Sequence, residues 1–338
     1  MLDLRTIRKV FFLLPLQAVV SEEWRADIPT EVTAQRGLCA RIPCHYRYPS
    51  SLENERRTGV WFNNVEWKAN SIVFHSRDHA YESSKFQHRT QLTGDLYDSD
   101  CSLVINNIEE EDRGPYFFRI EFTNDHNFDY PVIQLHVSDF TDKSSIFATE
   151  MVAGKPVKIT CTFKSTCEKM TPTLTWDTPT DVSASSSSRM TQWGDTLTYT
   201  SVLTMNPAPK HHGQSLTCRV SYPSVSSEQT LTLTVRYKPK DVKILSSDSV
   251  VKGSQVTLRC ESVGNPPADT YQWKKVCSGM EMRLEGFRHE LQIRISAEDE
   301  SCAYYCRAGN VIGDQDSEPK RFNVQCKYSH FDKTFTFI

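Results

Sequence analysis

The 338-residue chain contains no stretch that approaches the roughly 20 apolar residues a membrane-spanning helix needs. It has no basic run and its net charge is −3, so neither nucleic acid nor an anionic membrane patch is indicated as a partner. A Gly-rich phosphate loop, a zinc-type cysteine cluster and a Ser/His/Asp set with supporting motifs are all missing, which excludes the common nucleotide, metal and acyl-transfer chemistries. His211 and His212 are adjacent, and adjacent residues on a strand face opposite ways, so they read as a solvated turn and not as a metal pair. No cofactor and no metal is expected. No Asn-x-Ser/Thr acceptor occurs, so asparagine glycosylation is not expected either. These absences leave a protein that acts by binding and is not an enzyme.

The chain does have eleven cysteines, and such usage behind a secretory leader points to disulfides formed in an oxidising compartment. Arg5, Arg8 and Lys9 precede the apolar run VFFLLPLQAVV at residues 10–20, the pattern of a signal peptide over residues 1–21 with cleavage after Ser21. The expectation is a product of the secretory pathway, either secreted as written or the outer fragment of a longer plasma-membrane receptor.

Three segments repeat one grammar: short alternating strands, a Cys, a Trp, and a second Cys, with Ser/Thr/Pro/Gly turns between. The first has Cys44, Trp61, Cys101 and a corner tyrosine, Tyr116; the second Cys161, Trp176 and Cys218; the third Cys260, Trp273 and Cys306. That grammar predicts an all-β chain of three tandem immunoglobulin-like β-sandwiches, an N-terminal V-type followed by two of C2 or I type, with little helix. Polar residues near Asp139 and Pro239 beside Lys238 interrupt the strand patterns, giving domains at 22–138, 139–237 and 238–326 and a short atypical tail at 327–338. The tract SASSSSR at 183–189 reads as a flexible loop, and EEED at 109–112 as a solvated turn.

In such sandwiches strand F usually reads Asp-x-Gly-x-Tyr-x-Cys. Here Asp112, Gly114 and Tyr116 hold the pattern, but Phe118 stands in the cysteine slot. Cys101 lies earlier, in CSLVI on strand E, and strands B and E belong to one sheet, so Cys44–Cys101 would be an intra-sheet bridge with Phe118 filling the space left between sheets. The plain alternative is a domain that only relocated its staple. Cys161–Cys218 and Cys260–Cys306 follow the usual B-to-F pairing. Cys39 begins strand B of the first domain and Cys167 lies just past strand B of the second, which makes a bridge between them geometrically reasonable. In the third domain Cys277 lies four residues after Trp273 and Cys302 four before Cys306; with strands C and F antiparallel, matching even offsets predict Cys277–Cys302. Cys326 is either a free or intermolecular thiol, or a cysteine whose partner belongs to a missing continuation.

If Phe118 points inward, strand alternation turns Arg119 outward. Phe128 and Tyr130 fall where strand G begins beside strand F, and Trp24 opens strand A at the same end. A cation flanked by exposed aromatics suits an acidic sugar, because Arg grips a carboxylate with two parallel hydrogen bonds while rings cover apolar sugar faces. The bland reading is a solvated surface arginine.

CARIPC, GVWF, RTQLTGDLYDSDCSLVINNI and GPYFFR resemble the Siglecs, sialic-acid-binding immunoglobulin-like lectins, over residues 24 to about 235. The shifted cysteines combined with Arg one residue past the vacated slot are the most specific part of that likeness. The resemblance implies the same Cys44–Cys101 and Cys39–Cys167 bridges. It also implies that Arg119 pairs with the sialic acid carboxylate, Trp24 packs on the N-acetyl group, Phe128 or Tyr130 packs on the glycerol tail, and the backbone around Asp129 supplies hydrogen bonds. Partners would be sialylated glycoproteins or glycolipids on cell surfaces, and the function cell adhesion or recognition. Asp125 and Asp129 would stand close to the bound anion and oppose it. The competing reading is an adhesion module that binds a protein counter-receptor without glycan, and a soluble decoy is a variant of either.

Overall fold

A computed structural model describes residues 24–64, 71–179 and 184–325. The expected signal peptide, Cys326 and the terminal tail lie outside the described residues. Regular structure among them is β-strand with short 3-10 turns. The chain forms two compact units: one runs to Thr141 and takes in Thr166–Thr171 and Tyr222–Val225, and the other holds the rest.

Among the described residues the first unit contains eleven strands: β1 Arg25–Asp27, β2 Glu31–Gln35, β3 Ala40–Ile42, β4 His45–Arg47, β5 Arg57–Phe62, β6 Ile72–His75, β7 Thr90–Leu92, β8 Leu103–Ile105, β9 Gly114–Phe122, β10 Asn127–Asp129 and β11 Ile133–Ser138. One sheet has the order β3-β8-β7 and the other β2-β11-β9-β5-β6, with β10 added to β9 and β1 paired with β4. The cause is plain in β11, where Ile133, Leu135 and Val137 are buried and alternate with exposed Gln134, His136 and Ser138. The core between the sheets is aromatic: Trp61, Tyr46, Tyr116, Phe86 and Phe118 are all fully buried.

Phe118 occupies the middle of that core. Its ring lies 5.4 Å from Tyr46, 5.5 Å from Trp61 and 5.9 Å from Tyr130. Gly59 makes room for it, since a Cβ there would meet Phe118 at 2.9 Å and Leu96 at 3.0 Å. Cys44 and Cys101 are bridged across neighbouring chain segments with Cα atoms 4.9 Å apart, and Cys101 accepts the Trp61 indole N–H on its carbonyl at 2.9 Å. Cys39 and Cys167 are bridged within this unit, their Cα atoms 5.6 Å apart.

The EEED turn is not merely solvated. Asp112 is buried, ion-paired with Arg89 and, at 3.0 Å, with Lys85, while the Tyr116 hydroxyl donates to the Asp112 carbonyl at 2.8 Å. A buried carboxylate needs such partners, and here they tie the corner to the strands on either side.

In the second unit the Cys161–Cys218 and Cys260–Cys306 bridges span Cα distances of 6.4 and 6.2 Å. Cys277 stands directly opposite Cys302 and is bonded to it. Three features differ from the sequence reading. Ala184–Trp193 is a ten-residue exposed edge strand paired along Thr196–Met205, so most of the serine tract is strand and not loop; backbone pairing to a neighbour needs no apolar side chains. His211 is 2 % exposed and its Nδ1 accepts from the Ala208 N–H at 2.9 Å, so only His212 is solvated. Val235–Leu245 passes through Lys238 as one strand, with Pro239 accommodated where the pairing register shifts.

Candidate functional site

Register fixes which side chains share a face with Arg119. Its direct neighbours are Val60 on β5 and Asp129 on β10, and Val60 is in turn opposite His75 on β6. Residues directly opposite in a sheet point the same way, so Asp129, Arg119, Val60 and His75 form one row across four strands on the face away from the Phe118 core. Val60, Phe62 and Phe117 form a small apolar cluster on that face.

The guanidinium is held among acceptors of its own sheet. Arg119 Nε lies 2.9 Å from Glu121 Oε1, and Nη1 lies 3.5 Å from Asp129 Oδ1. With its amide oriented to satisfy both ends, Asn127 accepts from Nη2 at 3.0 Å. The Arg119 side chain is 17 % exposed. Burial raises the Asp129 carboxyl above its ordinary value, Arg119 pulls it back and Glu121 raises it again. Burial lowers His75, against the pull of Glu121 and its other acidic neighbours. With both carboxylates ionised the immediate surroundings of the cation are net negative, so an incoming carboxylate must displace one of them.

The aromatic residues are placed differently. Phe128 is opposite the inward-facing Ile120, and its ring stacks on Trp24 at 4.9 Å with 7° between planes, both packed against the main core. Phe128 and Trp24 thus belong to the core side of the β10 edge, while Arg119 belongs to the other face. Tyr130 is a correction: it is 2 % exposed, its hydroxyl donates to the Arg47 carbonyl at 2.8 Å, and burial pushes that hydroxyl far above its ordinary pKa. Alternation sends both Phe128 and Tyr130 inward once Asp129 faces Arg119. Asp125 is exposed at the turn before β10, with positive φ, and no Arg119 ion pair reaches it among the described residues. Glu121 and Asn127 were missed, although Glu121 follows Arg119 by two residues on one strand and shares its face by the alternation that turned Arg119 outward. Among the described residues no group of three or more His, Cys, Asp or Glu is arranged to hold a metal ion.

The same construction recurs. Arg219 follows Cys218 and pairs at 2.6 Å with Glu228, its direct neighbour on the next strand. Arg307 follows Cys306 and binds the facing Asp316 through Nε at 2.5 Å and Nη2 at 3.0 Å. All three sandwiches therefore carry an arginine one residue past the strand F cysteine slot, opposite an acid. Those of the later sandwiches are open, at 52 % and 47 % exposure.

Residues 28–138 match the immunoglobulin V-set domain family, 141–229 the CD80-like C2-set immunoglobulin domain family, and 238–310 a further immunoglobulin domain family. Human myelin-associated glycoprotein is 29% identical over 308 residues, 89% of this chain and 48% of that protein. Human sialic acid-binding Ig-like lectin 8 is 29% identical over 315 residues, 84% of this chain and 61% of that protein. The rat myelin-associated glycoprotein matches at 29% over 93% of this chain and 50% of its own length. The chain thus spans about half the length of the myelin-associated glycoproteins it matches. Three immunoglobulin domain families match successive parts of the chain, which is built of immunoglobulin domains. Its relatives at 27–29% identity thus include myelin-associated glycoproteins and proteins named sialic acid-binding Ig-like lectins.

Proposed function

We propose that the first sandwich binds sialylated glycans of cell-surface glycoproteins or glycolipids, with Arg119 as the anchor for the sugar carboxylate, in cell adhesion or recognition outside the cell. The observation that carries this reading is the position of Arg119: one residue past a cysteine slot filled by Phe118, on the outward face of β9, in a chain whose relatives include proteins named sialic acid-binding lectins. A bidentate guanidinium–carboxylate contact is the natural grip for such an acid. Asp129 and Glu121 hold the cation in reserve, and a glycan carboxylate exchanges with Asp129, the more distant of the two. Among the described residues β10 pairs only with β9, so a sugar seated on Arg119 can lap over its edge toward the stacked Trp24 and Phe128. Binding of this kind is weak per site, because a charge-assisted hydrogen bond contributes about 1.5–3 kcal/mol and a millimolar complex has only about 4 kcal/mol in all, so adhesion depends on many copies.

One observation favours a second reading, an adhesion module for a protein counter-receptor. The arginine–acid pair of strands F and G recurs in all three sandwiches, as expected if it is structural cross-strand pairing and Arg119 is incidental to binding. Sialidase treatment of target cells separates the two: loss of binding supports the lectin, and undiminished binding supports the protein partner.

A further inference from the structure

The first half of the strand Val235–Leu245 alternates: Val235, Tyr237 and Pro239 are buried, while Arg236 is half-buried and Lys238 and Lys240 are exposed. The burial pattern turns these three cations away from the core, with a register shift lying between Tyr237 and Lys240. Lys155 joins them from the turn after Met151–Val152, a strand that pairs parallel with Val235–Arg236. The four line a cleft of about 610 Å³ whose apolar wall includes Ile312 and Val311, the latter 69 % exposed. Among the described residues one carboxylate, Glu150, lines it, paired with Arg236. Lys240 has a loose partner in Asp241 at 3.7 Å, and Lys155 and Lys238 have no ion pair among the described residues. In a chain of net charge −3, four cations against one carboxylate is a local reversal of sign.

From this we infer that the cleft is a second binding site, for a sulfated polysaccharide. Four cations along one cleft fit a polyanion better than a single ion, and each ammonium acts as a compact point charge for a sulfate group. Exposed Val311 and half-buried Ile312 beside the cations match the apolar faces of sugar rings. An anionic bilayer is the poorer fit, because interfacial binding uses apolar groups protruding from a surface, whereas these line a concavity. The site shares no residue with the Arg119 face, so either can fail without the other.

The test is titration of the full chain with size-fractionated heparin oligosaccharide, with its desulfated form as control and anionic phospholipid vesicles in a parallel arm. Variants are the triple change Lys155→Ala, Lys238→Ala, Lys240→Ala and a control, Lys143→Ala with Lys164→Ala, whose melting curves establish that both fold. The triple variant should bind the sulfated chain about tenfold or more weakly, and the affinity of the unaltered protein should fall steeply with added salt. The control and Arg119→Ala should bind unchanged. Equal affinity for the desulfated chain, vesicle binding without oligosaccharide binding, or equal losses in the triple and control variants would each overturn the assignment.

Discussion

Strand F is built twice in contrasting ways, as β9 in the first sandwich and as Cys302–Asn310 in the third. The third strand is fastened by two sulfur bridges, Cys306 to Cys260 across the sheets and Cys302 to Cys277 within one. β9 has no bridge, and the same inward slot is filled by a phenyl ring among Tyr46, Trp61 and Tyr130. Both strands keep the corner: Tyr116 donates to the carbonyl of Asp112, and Tyr304 to the side chain of Asp299, whose carboxylate also pairs with Lys275. Both display an arginine facing an acid, but Arg307 is open and donates to its acid through two nitrogens, whereas Arg119 is largely covered, shares itself among three acceptors and touches its facing acid only at 3.5 Å. Packing can thus replace the inter-sheet staple, while the outward neighbour of the vacated slot is shared among three acceptors of its own sheet.

The contrast can be broken most heavily at the inward slot. Phe118→Ala should destabilise the first sandwich by about 3–5 kcal/mol, read as a shifted denaturant midpoint, because the ring lies in a closed aromatic core. Replacing Cys260 and Cys306 together by alanine should cost the third sandwich about 2–5 kcal/mol in the same assay. If Phe118→Ala cost less than 1 kcal/mol, the ring would not be the substitute for the bridge.

Asp129→Asn sharpens the comparison at the outward position. Removing a competing carboxylate should tighten sialoside binding roughly two- to fivefold at neutral pH. The sign of the pH effect follows from the raised Asp129 carboxyl: as pH falls toward it the group loses its charge, Arg119 is released, and affinity in the unaltered protein should rise. Protonation of His75, which requires a pH below its ordinary value, adds positive charge on the same face and acts in the same direction. Asp129→Asn should flatten this profile, and unchanged pH dependence in the variant would remove Asp129 from the account. The smallest effect is expected of Arg307→Ala: an exposed pair contributes about 0.2–1 kcal/mol, and sialoside binding should not move.

Much of this fold could be read from local pattern. Cys/Trp/Cys spacing marked the sandwiches because the pin and its packing partner are chemically distinctive, and the facing positions of Cys277 and Cys302 needed only one anchor pair, Trp273 opposite Cys306. What could not be read was burial decided by distant strands. His211, Asp112 and Tyr130 look polar or amphipathic in sequence and are buried, Asp112 against Lys85 and Arg89 and Tyr130 against Arg47 from distant parts of the chain. The site was legible in part: alternation along β9 turned Arg119 outward, but the register of β10, set after a tight turn, decided that Asp129 would share its face and Phe128 would not.

The central claim is that Arg119 changes partners, from the acids of its own sheet to the carboxylate of a sugar. It is tested most directly by ligand-observed magnetic resonance with a sialoside on the unaltered chain, Arg119→Ala and Arg307→Ala. Saturation transfer to the sialoside is expected from the unaltered chain and from Arg307→Ala, and none from Arg119→Ala. Retained transfer from a folded Arg119→Ala would contradict it.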